Sequence, residues 1–314
     1  MGNAHESRGN NLLTMIYDAL TRSLATFYMY TTLISATDLR QHLDDANVVI
    51  VDCRFELSAD GSRNEAGRAA YRHSHIPGAV YAHLNEVLSA PITAHSGRHP
   101  LPTARALMQT LGSWGIDSET QVIAYDADTG AMAAARLWWL LRWLGHDKVA
   151  VLDGGFKQWQ SAGLPISSTI FAPRPTEFRG KPQANMVANA AEVSLRALQP
   201  DWRVLDARPP ERFAGTVESI DAVAGHVPGA INFPMTLNLQ SDAHWQPAAT
   251  LRTQFVATLG NVSGTHTIAM CGSGVTACHN LLALEIAGIH GAQLYPGSWS
   301  EWIKDPSRPV ATGN

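Results

Sequence analysis

The sequence predicts an α/β protein made of two tandem copies of one domain, each a mainly parallel sheet with helices on both faces. Three observations carry this. Four segments recur in the same order in the two halves of the 314-residue chain. Short β-branched runs alternate with helical patterning in each half, as strands buried under helices on both faces do. A Pro- and Gly-rich stretch separates the halves. The predicted organisation is an N-terminal extension over 1–33, a first domain over 34–166, a linker over 167–185 and a second domain over 186–314.

From the N-terminus, Leu12 to Tyr30 is apolar, but Asp18 and Arg22 interrupt it and no clear small-residue cleavage site follows. It therefore reads as an extension rather than a membrane span or a targeting peptide. The repeats begin with Val48 to Phe55, which returns as Arg203 to Arg208. His75-Ile76-Pro77-Gly78-Ala79 returns as His226-Val227-Pro228-Gly229-Ala230. Val122 to Asp126 matches Thr267 to Cys271, and Leu152 to Trp159 matches Leu294 to Trp302. The spacing between partners shrinks slowly along the chain, as differing loop lengths require, so the chain is a duplicated domain.

Predicted strands are Val48 to Asp52, Val122 to Tyr125, Val149 to Leu152, Val204 to Leu205, Thr267 to Met270 and Gln293 to Tyr295. Ala131 to Leu144 reads as a helix whose Trp138, Trp139 and Trp143 pack on the sheet rather than forming an aromatic platform. Between the copies, Ser167 to Pro182 carries three prolines and a glycine with little apolar periodicity, which suits an extended connection.

Composition narrows the function. The chain is 45% hydrophobic and 16% charged with a net charge of -4, and no Lys/Arg run exceeds two residues, so no footprint for nucleic acid or an anionic membrane is present. Three cysteines, Cys53, Cys271 and Cys278, are too few for a disulfide framework; they suit a reducing, cytoplasmic setting and point to catalytic rather than structural use. No His/Cys cluster has metal-ligand spacing, and no motif calls for a cofactor.

In open α/β sheets ligands sit beyond the carboxyl ends of the strands. There the first copy presents Asp126 in Asp126-Ala127-Asp128-Thr129-Gly130, whereas the second presents Cys271 in Cys271-Gly272-Ser273-Gly274-Val275-Thr276-Ala277. One loop is predicted inactive, the other active. In the active loop the backbone N–H groups of a glycine-spaced turn curl around the sulfur, with a helix N-terminus behind them, and this favours thiolate over thiol. Cysteine-dependent phosphatases need an arginine six positions after the nucleophile to hold phosphate; Ala277 stands there, which argues against phosphate-ester hydrolysis.

The tandem His-x-Pro-Gly-Ala domains, the Asp/Cys contrast, and the loop followed by Gly297-Ser298-Trp299-Ser300-Glu301-Trp302 resemble the two-domain rhodanese-like sulfurtransferases over about residues 34 to 310. The loop is similar to that of the 3-mercaptopyruvate sulfurtransferases. The resemblance implies that Cys271 attacks the outer sulfur of a small-molecule donor and becomes a persulfide. The sulfur then passes to cyanide or to a thiol such as thioredoxin or a low-molecular-weight thiol. Gly272, Ser273, Gly274, Val275 and Thr276 would form the cradle. Thiosulfate-preferring relatives carry Arg and Lys at the two positions after the cysteine, whereas Gly272 and Ser273 are uncharged, so a carboxylate donor held by other cations is the better match. Arg208 and Arg212, in Asp206-Ala207-Arg208 and Glu211-Arg212-Phe213, would clamp it.

The resemblance further implies an Asp-His-Ser relay in which His75 reaches Ser273. Asp60 is only a loose candidate for its acid, and Asn64 stands eleven residues before His75. His226, in the same motif of the other copy, reads as structural. His99 is read as structural rather than cleft-lining, and Cys278, two helical turns past Cys271, as a buried helix residue rather than a resolving thiol. Two further functions compete: thiosulfate:cyanide sulfurtransferase, and a non-catalytic persulfide carrier or regulatory module.

Overall fold

The computed structural model describes residues 29–56, 65–131 and 133–313. Most of the N-terminal extension, with Asp60 and Asn64, lies outside them. The first domain runs β1 (Leu33–Ile34), α1 (Ala36–Gln41), β2 (Val48–Asp52), α2 (Ala66–His73), β3 (Val80–Tyr81), α3 (Ala104–Ser113), β4 (Gln121–Tyr125), α4 (Ala134–Trp143), β5 (Val149–Leu152) and α5 (Gly155–Ser161). The second runs α6 (Ala190–Arg196), β6 (Arg203–Asp206), α7 (Pro210–Phe213), β7 (Ile231–Asn232), α8 (Ala248–Leu259), β8 (Thr267–Met270), α9 (Ala277–Ile286), β9 (Gln293–Leu294) and α10 (Ser298–Trp302).

Every strand pair is parallel. The first sheet has the order β1-β5-β4-β2-β3 and the second β7-β6-β8-β9. In the second copy the counterpart of β1 is reduced to one bridge between Val187 and Leu294. The central strands β4 and β8 are buried along their whole length, which is why they read as unbroken apolar runs rather than as alternation. Asp126 and Cys271 are the first residues beyond them, at matching positions in the two sheets.

The copies face each other through α4 and α9, the helices that follow those two loops. Leu137, Leu140 and Trp139 from one side join Leu281, Leu282 and Leu284 from the other in a single hydrophobic cluster. Each large apolar side chain buried there contributes about 1.5–3 kcal/mol, so the two domains form one body. The connecting segment adds to this. Phe178 is buried, and the N–H groups of Thr176, Lys181 and Gln183 donate to the carbonyls of Gly112, Leu144 and Trp143. The stretch between the copies is therefore strapped to the first domain.

Candidate active site

The loop after β8 is built around its sulfur. The N–H groups of Ser273 and Gly274 point at Cys271 Sγ from 3.4 and 3.2 Å. Gly274 sits at φ +77°, and a Cβ there would lie 2.4 Å from the Pro296 carbonyl oxygen, so only glycine gives this turn. Val275 and Thr276 instead start α9: their carbonyls accept the N–H groups of Cys278 and His279. Ser298 fixes the other side. Held at φ +52°, it accepts the Cys271 N–H on its hydroxyl oxygen at 3.1 Å and donates to the Tyr295 carbonyl at 2.8 Å. A non-glycine residue in the left-handed region is held there by its surroundings. The matching loop of the first domain has the same frame, with the Asp126 carboxylate accepting the Gly130 N–H at 2.8 Å.

Cys271 lines a cavity of about 420 Å³, together with Arg98, Arg208, Pro209, Pro210, Arg212 and Met235 among others. Cys53 and Cys278 are buried outside it. Burial, with the neighbouring Asp52 and Asp126 carboxylates, pushes the Cys53 thiol well up, and burial pushes Cys278 up to about 12 against the pull of Arg136. Neither carries a thiolate at neutral pH.

Three guanidinium groups stand around the cavity, each tethered by carboxylates. Arg212, brought in by the short Pro-initiated helix α7, pairs with Glu218 and Asp221 at 2.8 and 2.9 Å. Arg98, from the first domain, pairs with the other oxygen of Asp221. Arg208 spends Nε and Nη2 on Asp206 and on the Gly225 carbonyl, and its buried Nη1 has no hydrogen-bond partner among the described residues. The carboxylates respond differently. Burial works against ionised Glu218, but Arg212 and the N–H groups of Asp221 and Ile220 outweigh it and hold the carboxyl low. Burial and the nearby Glu218 charge leave Asp221 above its ordinary value despite Arg98 and Arg212.

The relay expected through His75 is not formed there. His75 is fully buried, its Nδ1 meets the Tyr71 carbonyl at 2.7 Å and its Nε2 meets the Thr169 carbonyl at 3.1 Å. It occupies the same structural position as His226, whose Nδ1 meets the Phe213 carbonyl at 2.8 Å. The imidazole on Ser273 belongs to His99, whose Nδ1 lies 2.8 Å from Ser273 Oγ. His99 comes from the first-domain loop that also carries Arg98, and the Arg98 N–H anchors that loop on Ser300 Oγ at 3.0 Å. Below it, the fully buried Arg136 of α4 donates to the carbonyls of Gly274 at 3.0 Å and His99 at 3.2 Å, tying the Cys271 loop to the first-domain loop.

Sequence reasoning passed over Arg98, Arg136 and Ser298. The signal available was their company: Arg98 beside a cleft histidine, and Ser298 in the segment matched to Gly154-Gly155-Phe156. Among the described residues, Glu65, His83 and Glu86 converge closely enough to hold a cation. Arg68 already pairs with both glutamates at 2.9 and 2.6 Å, and none of the three lines the cavity.

A thiol on backbone N–H donors between two copies of one parallel-sheet domain defines a class, and comparison with known proteins agrees. The rhodanese-like domain model matches residues 35–162 and 189–305, so the chain belongs to the rhodanese-like family. It is a sulfurtransferase, as its relatives are named. It is 46% identical over 284 residues to the probable 3-mercaptopyruvate sulfurtransferase of Pseudomonas aeruginosa, covering 90% of this chain and 98% of that one. It is 32% identical over 239 residues to the thiosulfate sulfurtransferase of Gallus gallus, covering 75% and 81%. Among solved structures, the 3-mercaptopyruvate sulfurtransferase SseA of Escherichia coli superposes with a TM-score of 0.74 at 30% identity, covering 86% of this chain and all of that one. Among the described residues no helix is long and apolar enough to cross a membrane.

Proposed function

We propose that the enzyme moves sulfur from 3-mercaptopyruvate through a persulfide on Cys271 to a thiol or to cyanide. The observation that carries this reading is the thiol of Cys271, met by two loop N–H groups inside a cavity walled by three arginines. The thiolate attacks the donor's sulfur; an Sγ–S bond forms as the C–S bond breaks, and the electron pair stays on carbon as the enolate of pyruvate. The donor's thiol proton ends on that carbon, so thiolate plus mercaptopyruvate gives persulfide plus pyruvate with nothing left over. The N–H groups of Ser273 and Gly274, which point at Sγ, hold that atom in place as the persulfide forms on it. Ser273, hydrogen-bonded to His99, carries the proton to the enolate. Arg212 and Nη1 of Arg208, which faces Glu218 at 3.7 Å without a hydrogen bond, bind the carboxylate and keto oxygens.

The test is a mass measurement with a rate. Cys271→Ser abolishes turnover and the adduct of about 32 Da expected for one added sulfur, and Cys278→Ser keeps both. An adduct that survives in Cys271→Ser places the chemistry elsewhere. Thiosulfate is the competing donor, because the arginines beside the thiol suit a dianion as well. The ratio of kcat/KM for the two donors decides between them, and steady-state turnover of either excludes a pure carrier. A small thiol or thioredoxin is the acceptor on this reading.

A further inference from the structure

Gly272, next to the nucleophile, has no side chain, yet the space beside it is not empty. A Cβ built on Gly272 would lie 2.8 Å from Arg98 Nη2 and 3.7 and 3.8 Å from the terminal nitrogens of Arg212. Two guanidinium groups, one from each domain, thus converge on one point beside the thiol. Both are fastened to the same carboxylate, Arg98 by Nη1 to Asp221 Oδ1 and Arg212 by Nη2 to Asp221 Oδ2. The tether leaves Arg98 Nη2 on the Gly272 side, and Arg98 Nε is buried without a hydrogen-bond partner. The cavity's wall carries Arg98, Arg208 and Arg212, and the carboxylates of Asp206, Glu218 and Asp221 pair with them from outside it. Net charge is balanced, so any preference for an anion comes from which N–H groups point inward.

We propose that Arg98 is a specificity-determining residue of the sulfur-donor site: carried in by the first domain and aimed by Asp221, it selects donors with an anionic group next to the transferred sulfur. This rests on Cys271 being the nucleophile and extends the donor site beyond the second domain. Arg212 alone is saturated on one edge by Glu218 and Asp221; Arg98 supplies the opposing edge of a two-sided anion seat. Its side chain is 25% exposed, so it can be changed without opening a core.

The experiment compares alkylation of Cys271 by anionic iodoacetate and neutral iodoacetamide in the parent, Arg98→Gln and Arg98→Lys. These probes carry no sulfur and do not depend on the donor. The iodoacetate-to-iodoacetamide rate ratio falls about tenfold in Arg98→Gln, is largely kept in Arg98→Lys, and declines with salt in the parent more than in Arg98→Gln. An unchanged ratio in Arg98→Gln overturns the proposal. So does a parallel fall in both rates, which makes Arg98 a mere support for the loop. A lowered ratio with an unchanged KM for 3-mercaptopyruvate upholds Arg98 as the anion-selecting cation and sinks mercaptopyruvate as the donor.

Discussion

At the scale of single residues, burial takes His99 out of the site's response to pH. Burial, with the Arg136 and Arg98 charges adding to it, pushes His99 down to about 3, so its imidazole is neutral wherever the enzyme works. A neutral ring against Ser273 Oγ is a hydrogen-bond partner that brings no charge of its own to the site. Replacing it with glutamine is expected to lower kcat by about 10²-fold. The loss should be uniform from pH 5.5 to 8, because no inflection of the parent's profile belongs to this ring. A loss confined to one limb of the profile would assign the ring a titrating role instead. The same depression has a stability consequence. His99 and His279, the latter also pushed to about 3 by burial, take up protons near 6.5 only when the chain unfolds. Above pH 6.5 they cost nothing; as pH falls from there toward 3 the unfolded state gains protons and stability is lost, by at most about 1.4 kcal/mol per pH unit for each. Denaturant titrations at pH 7 and 5 should show this slope, and His279→Gln should flatten it if its other contacts are kept.

His99 was legible as a residue but not as a partner of Ser273. The two lie far apart in sequence and meet only because the domains pack face to face; a tandem repeat announces two domains, not which loop of one crosses to the other. Cys271 and its loop were legible because the whole frame is local: strand end, two glycines, helix start.

At the scale of elements, the recurring Asp-x-Arg at a strand end is a staple. Arg54 binds Asp52 through Nε and Nη2 and donates to the Ser74 carbonyl, and Arg208 does the same to Asp206 and the Gly225 carbonyl. Each guanidinium lies over an aromatic ring, Phe156 at 4.2 Å and Trp299 at 4.8 Å. Ser74 and Gly225 immediately precede His75 and His226, so the two repeated motifs are one structural unit used twice. That repetition was present in the sequence. It assigns Arg208 a structural duty that a reading centred on the active copy alone leaves out. Arg54→Ala and Arg208→Ala should each cost about 3–5 kcal/mol in unfolding experiments, the range for breaking a buried ion pair. Only Arg208→Ala should also raise the donor KM, since only Arg208 lines the cavity. Full stability in either variant would refute the staple.

At the scale of the whole molecule, each copy covers the other's loop. The first-domain loop meets the Cys271 loop through His99 and Ser273, and packs on the neighbouring segment before α10 so closely that a Cβ on Gly97 would sit 2.4 Å from the Gly297 carbonyl oxygen. In return the second-domain segment around Trp245 lies beside the Asp126 loop: a Cβ on Gly130 would sit 3.7 Å from the Trp245 ring, and just beyond β5 the Trp245 N–H donates to Asp153 at 3.0 Å and His244 Nδ1 stands 3.1 Å from the same carboxylate. Gly97→Ala should therefore lift Arg98 and His99 off the site and lower kcat/KM at least about tenfold while leaving both sheets folded, as circular dichroism with activity would record. Wild-type kinetics in Gly97→Ala would mean that the loop yields without disturbing the site.

This reciprocal cover makes mutational tolerance cross over between the halves. If the chemistry is done at Cys271 alone, the strand-end loop around Asp126 is constrained by packing only. The first domain's Gly97-Arg98-His99 and Arg136 are not, because the work they do is in the other half. A saturation scan scored on sulfur transfer, with abundance scored in parallel, should show a patch in the first domain where substitutions spare abundance and remove activity, around Arg98 and His99. The matching segment of the second domain, around His244 and Trp245, should be sensitive in abundance alone. In a gene of two similar halves, the half that carries Asp126 in place of Cys271 would then be constrained most tightly where it meets the other half.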